Sequence, residues 1–238
     1  MRVFLLFIFI LVVEVKANVL FFDNFDGATL DTSKWDVVLP TGVASVSVQD
    51  GFLRSLNRGT VVTKQEFSGP FVVSGKFRTP AAFYDLTTIT LRSSGSLPAT
   101  PSHDRLEGLA IEIWSGGNYV TPWEIGATGA TALAPSSPFG ALTDNAIHTF
   151  EIQDTGSSFT VSINGTEIFS RATSFSAGAK ISFSSRERTT AVGSQPELTG
   201  QSDLMEIQVI PEPSSISLFL AGGSALVAMR RRKVDDQV

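Results

Sequence analysis

The chain has 238 residues, no cysteine, and 18 Lys and Arg against 23 Asp and Glu, for a formal net charge of −5. Disulfides and thiol chemistry are therefore excluded, and an acidic balance argues against a nucleic-acid partner, which would want a basic stripe. With 18 Phe against 2 Tyr, the composition suits a domain held together by its apolar core alone.

The chain opens with Met1-Arg2, an apolar stretch at 3–13 and Val15-Lys16-Ala17. A charged start, an apolar segment and small or tolerated residues before a cut describe a signal peptide over 1–17, leaving Asn18 as the mature start. Residues 18–209 then form a single domain of about 190 residues, enough for one sizeable core.

Within that domain the pattern predicts strands throughout. Short runs at 19–22, 44–48, 52–56, 60–64, 71–78, 87–92, 109–114, 147–153, 159–163, 180–184 and 204–209 are separated by Gly, Pro, Asn and Ser. Phe150 and Ile152 share a face, as do Phe159, Val161 and Ile163, and Val73 with Phe77. No sustained 3.6-residue pattern occurs outside the termini, so the expected class is an all-β sandwich of antiparallel sheets. Asn164-Gly165 sets a tight turn between 159–163 and Glu167-Ile168-Phe169. Residues 115–142 read as a loop, with 127–140, rich in Ala, Gly, Ser and Pro, its longest irregular part.

The tail, 210–238, has three parts in order. Pro211-Glu212-Pro213 can continue neither strand nor helix, so an extended, accessible peptide is expected. An apolar run at 216–229 follows, at the short edge of a transmembrane helix. Arg230, Arg231, Arg232 and Lys233 come next, the cluster that the positive-inside rule keeps on the cytoplasmic side. Tripeptide, apolar helix and arginine cluster together resemble the PEP-CTERM sorting signal of Gram-negative bacteria. The resemblance implies recognition by a membrane exosortase, transient anchoring in the inner membrane, cleavage, and release to the cell surface or an exopolysaccharide matrix.

The domain also resembles a family. His148-Thr149-Phe150-Glu151-Ile152, then Val161-Ser162-Ile163-Asn164-Gly165, and the opening Phe22-Asp23-Asn24-Phe25-Asp26-Gly27 with Leu30-Asp31-Thr32-Ser33-Lys34-Trp35, are similar to the concanavalin A-like (laminin G-like) jelly roll. That family includes lectins and glucanases. Its glycosidases carry two Glu in the pattern E-x-D-x-x-E or E-x-D-x-E. Here Glu107 and Glu112 have the longer spacing, but Leu109 stands at the aspartate position. Residues five apart on an unbulged strand also point to opposite faces, while retaining hydrolysis needs two carboxyls about 5 Å apart. A working catalytic pair is not expected. Glu107 then belongs to a loop and Glu112 to a solvated concave face.

That face is the predicted binding groove. Ala110, Glu112 and Trp114 point away from Leu109, Ile111 and Ile113, as do Thr88, Thr90 and Arg92 from Ile89 and Leu91. If the two strands are neighbours, Arg92, Glu112 and Trp114 line a carbohydrate groove, with Tyr119 and Trp123 from the next loop at its rim. Aromatic faces stack on sugar C–H bonds while polar groups take the hydroxyls. The alternative is that Trp114 and Trp123 pack under the 115–142 loop beside a structural Arg92–Glu112 ion pair. The resemblance further suggests a calcium ion held by Asp23, Asp26 and Asp203 where the first and last strands meet, against turn-capping by the same residues. No cofactor is otherwise required. Three functions stay open: a non-catalytic, lectin-like envelope or matrix protein, a divergent glycoside hydrolase, and a purely structural matrix protein.

Overall fold

A computed structural model of the chain describes residues 18–40, 42–78, 85–97, 106–114, 119–134, 137–138, 142–143, 146–187 and 201–212. The expected signal peptide, Pro213, the apolar run and the arginine cluster lie outside these residues.

The described residues form strands and no helix. In chain order these are β1 (Phe21–Asp23), β2 (Trp35–Val38), β3 (Ser45–Gln49), β4 (Phe52–Leu56), β5 (Thr60–Thr63), β6 (Phe71–Arg78), β7 (Asp85–Ser93), β8 (Gly108–Trp114), β9 (Tyr119–Gly126), β10 (Gly129–Ala132), β11 (Ser137–Pro138), β12 (Ile147–Asp154), β13 (Ser158–Ile163), β14 (Thr166–Ala172), β15 (Lys180–Glu187) and β16 (Gln201–Pro211). Sheet A runs β14-β13-β12-β6-β16-β4-β3, with β1 added on β16. Sheet B runs β10-β9-β8-β7-β15-β5-β2, with β11 added on β9. The two sheets face each other as a jelly-roll sandwich, the expected class.

Alternation decides which side chains meet between the sheets. In β6 and β12 every second residue is buried, so Phe71, Val73 and Phe77 meet Phe150 and Ile152 in the core. From sheet B come Val61, Ile89, Ile111, Ile113, Val120 and Phe183. The single indole of β2, Trp35, packs edge-on against Phe21 at 5.1 Å and lies 5.9 Å from Phe25, while Phe67 packs edge-on against Phe21 at 6.0 Å. Polar links also cross the core: Ser55 with Ser185, 2.9 Å apart, and Thr87 with Ser202. The Asn164-Gly165 turn forms as expected, with φ of 50° and 75°, the geometry of a primed hairpin turn.

Two expectations are corrected. Residues 119–126 and 129–132 are strands, not loop. Pro122 is tolerated within β9 because its carbonyl accepts from Leu133 N at 3.0 Å, so its missing N–H faces the end of short β10 and leaves the pairing with β8 intact. The last strand also runs to Pro211, two residues beyond the expected domain edge. Pro211 lies opposite Phe71, and Glu212 N donates to Pro70 O at 3.2 Å. In an antiparallel ladder this alternation turns the nitrogen of Pro211 away from β6, where no ladder bond is lost.

Candidate carbohydrate groove on sheet B

Strand register aligns a row of polar side chains on the face of sheet B turned away from the core. Thr60 lies opposite Ser184, Ser184 opposite Thr88, Thr88 opposite Glu112, and Glu112 opposite Thr121. One carboxylate thus sits among four hydroxyls across β5, β15, β7, β8 and β9. The next row is Val62, Ser182, Thr90, Ala110 and Trp123. On the other side Leu86 faces Trp114, which faces Tyr119. The two rings are stacked at 5.9 Å with 23° between their planes.

The row is deep. Thr60, Thr88, Thr90, Glu112 and Ser182 are all buried, so Glu112 is not on a solvated face. Exposure rises towards β9, where Trp114, Thr121 and Trp123 are half-buried and Tyr119 is exposed. Within it the Thr88 hydroxyl, on a side chain only 2% exposed, has no hydrogen-bond partner. A buried hydroxyl without a partner costs about 1–3 kcal/mol, and is a reason to look for a ligand.

Glu112, Trp114, Tyr119 and Trp123 are brought to this face together, Tyr119 and Trp123 from strand β9 and not from a loop. Arg92 is not. Opposite β15, the register shifts between Lys180 and Ser182 against Ser93 and Thr90, a β-bulge on β7 with Arg92 at φ 49°. The bulge re-aims the side chain. Its guanidinium grips Asp154 of sheet A through Nε at 2.9 Å and Nη2 at 2.5 Å, while Nη1 donates to Thr173 O and Phe175 O at 3.1 and 2.9 Å. This replaces both the groove role and the Arg92–Glu112 ion pair with a buried clamp between the sheets.

Glu107 precedes β8, and its backbone pairs with Ser94 and Ser96. No register shift occurs along β8 on either side. The outward positions of the strand are therefore Gly108, Ala110, Glu112 and Trp114, so β8 offers this face one carboxylate.

The three aspartates expected to hold calcium do not converge. Both oxygens of the fully buried Asp203 are used by Arg54, Arg78 and Gln201, with Arg78 Nη2 at 2.6 Å. The carboxylate in turn raises the pKa of Arg54, chiefly through their hydrogen bond and against some desolvation. Asp23 stands opposite Ile207, four residues along β16 from Asp203, or about 13 Å of strand. It accepts from Trp35 Nε1 at 2.7 Å and Phe25 N at 3.0 Å, and so ties the first strand to the core. Asp26 accepts from Asn24. No group of three His, Cys, Asp or Glu suited to a metal occurs among the described residues, so these carboxylates do not fit the calcium ion expected of them.

The groove residues missed by pattern reasoning are Thr60, Thr121, Ser182 and Ser184. Each alternates with a core residue (Val61, Val120, Ile181 and Phe183), so the signal was present.

Residues 209–233 match the family model described as the PEP-CTERM protein-sorting motif. The chain carries a PEP-CTERM sorting signal. Of the motif's tripeptide, Pro211 closes β16, and Glu212 has its Oε1 buried without a hydrogen-bond partner. No curated protein matches the chain by sequence. Solved structures match the fold. A β-glucanase of Bacillus licheniformis gives a TM-score of 0.61 at 13% identity, over 81% of this chain and 98% of that one. A glycoside hydrolase family 16 endo-glucanase from Bacteroides ovatus gives 0.57 at 13%, over 80% and 100%. The carbohydrate recognition domain of Emp47p gives 0.58 at 12%, over 79% and 93%. The fold is thus the concanavalin A-like jelly roll.

Proposed function

We propose that this is an exported envelope or matrix protein that binds a glycan in the sheet B row and does not cleave it. A signal peptide at 1–17 starts export, and the C-terminal signal is processed by an exosortase in the inner membrane before the sandwich passes to the cell surface or an exopolysaccharide matrix. The observation that carries the reading is the partnerless Thr88 hydroxyl inside a line of hydroxyls and one carboxylate. Flanking Trp114, Tyr119 and Trp123 supply ring faces for sugar C–H bonds, and Glu112 supplies an acceptor for sugar hydroxyls. The single carboxylate that β8 offers supports binding without hydrolysis, since glycosidases of this kind use a pair. The glycan-related neighbours agree in fold.

Residues 18–212, which contain every described strand, should be tested in a polysaccharide pull-down beside Trp114→Ala and Glu112→Gln. Binding lost in both variants, with no sugar released, is expected. Sugar release abolished by Glu112→Gln would make the protein a hydrolase. Failure to retain any polysaccharide would leave a structural matrix protein.

A further inference from the structure

The outer face of sheet A is polar along most of its rows, with Gln208, Ser74, Glu151 and Ser162 in register across four strands. At one corner this changes. Phe22 points outward from β1 and is 44% exposed, and just before it Leu20 and Val19 are 40% and 53% exposed. Ile210 on β16 and Val72 on β6 lie opposite each other and are half-buried. Leu20 N donates to Val209 O at 2.8 Å, which sets Leu20 beside Ile210. Leu20, Phe22, Val72 and Ile210 therefore share one corner of a face that is mostly polar, with exposed Val19 beside them where the chain enters.

Both chain ends leave the sandwich at this corner. Asn18 is two residues from Leu20, and Glu212 is two residues from Ile210. The apolar run of the sorting signal begins at Ile216, four residues beyond Glu212, a reach of at most about 14 Å. A chain anchored by that run cannot carry this corner far from the bilayer.

We propose that Val19, Leu20, Phe22, Val72 and Ile210 form a membrane-docking corner that rests on the lipid surface while the C-terminal signal is attached. The occupant is the bilayer, because the tether holds it against this corner and no other. Lys34 at the patch edge donates to Phe22 O at 3.0 Å and is balanced by Asp23 and Asp31 at 3.7 and 3.9 Å, so the attraction of this corner to the bilayer is apolar. Docking aligns the strand-bound Pro211 and Glu212 at the membrane surface. Once the tether is cut, the corner holds the sandwich by weak apolar contact alone, so release follows.

The absence of cysteine allows single-site labelling. Full-length chains with Leu20→Cys, Phe22→Cys or, on the far hairpin, Glu167→Cys would carry the environment-sensitive dye NBD and be reconstituted into phosphatidylethanolamine–phosphatidylglycerol vesicles. Dye at 20 and 22 should shift to the blue and be quenched by nitroxide-labelled lipid, while dye at 167 should do neither. Emission at 20 and 22 matching that at 167 would overturn the proposal. So would quenching by a nitroxide-labelled second copy of the chain but not by nitroxide lipid, which would make the corner a protein–protein contact.

Discussion

Asp154 and Asp203 are as deeply buried as Thr88, but the protein itself satisfies both. Asp154 is gripped by Arg92 and also accepts from Gly156 N at 2.8 Å. Asp203 takes two guanidiniums and an amide. Thr88, in the middle of the sheet B row, has no partner for its hydroxyl. Charged groups that the fold completes belong to its architecture; the incomplete Thr88 hydroxyl is the group that the proposed glycan would complete. The contrast separates the structural poles of the sandwich from its groove, and it can be broken at several points.

The largest effect should come from the clamp. Asp154→Ala leaves the buried Arg92 guanidinium with only two carbonyl acceptors, and removing one partner of a buried pair typically costs about 3–5 kcal/mol. Urea unfolding should show that loss, and glycan binding by the folded fraction should be unchanged.

Next is Asp203→Ala. Arg54 and Arg78 are 22% and 26% exposed at the side chain, so water recovers part of what they lose, and about 2 kcal/mol is expected in the same assay. Arg78 keeps its contact over the Phe52 ring at 4.0 Å. A neutral result in both variants would collapse the distinction between satisfied and reserved groups.

Thr88→Val should have the opposite sign. The shape is kept and a partnerless hydroxyl is removed, so the free protein should gain up to about 1 kcal/mol in thermal unfolding. The same change should weaken glycan binding several-fold, about 1 kcal/mol. Stability and binding moving in opposite directions is the signature of a site reserved for a ligand.

The smallest effect is at Asp31. The hydroxyl and backbone amide of Ser33 hold its carboxyl below the ordinary value. A depressed carboxylate adds stability above its unfolded pKa of about 3.9, and that stability is lost as pH falls through the lower folded value. Asp31→Ala should thus differ slightly from wild type at pH 7, and the difference should shrink as pH falls below the unfolded value.

Much of this was legible from residue order. The strand at Phe71–Arg78 follows directly from alternation, as does the shared face of Glu112 and Trp114. Arg92 was misplaced because alternation assumes an unbroken ladder, and no glycine marks the bulge that turns it. Strand β9 was read into the 115–142 loop, although its proline faces the end of a short neighbour and breaks no pairing with β8. The Asp203 cluster joins residues more than a hundred positions apart, so it is invisible until register is known. Pro211 shows the same limit in reverse: a residue that should end a strand ends it two positions later than expected.

The most direct test of the groove uses the protein's own tryptophans. Of the three in the chain, Trp35 is sealed in the core at 1% exposure, whereas Trp114 and Trp123 flank the row. Oligosaccharides cut from whichever polysaccharide the protein retains should be titrated while tryptophan emission is followed. A saturable change that persists in Trp35→Phe and disappears in Glu112→Gln is the expected result. Tight glycan binding with no change in emission would place the sugar elsewhere and contradict the account.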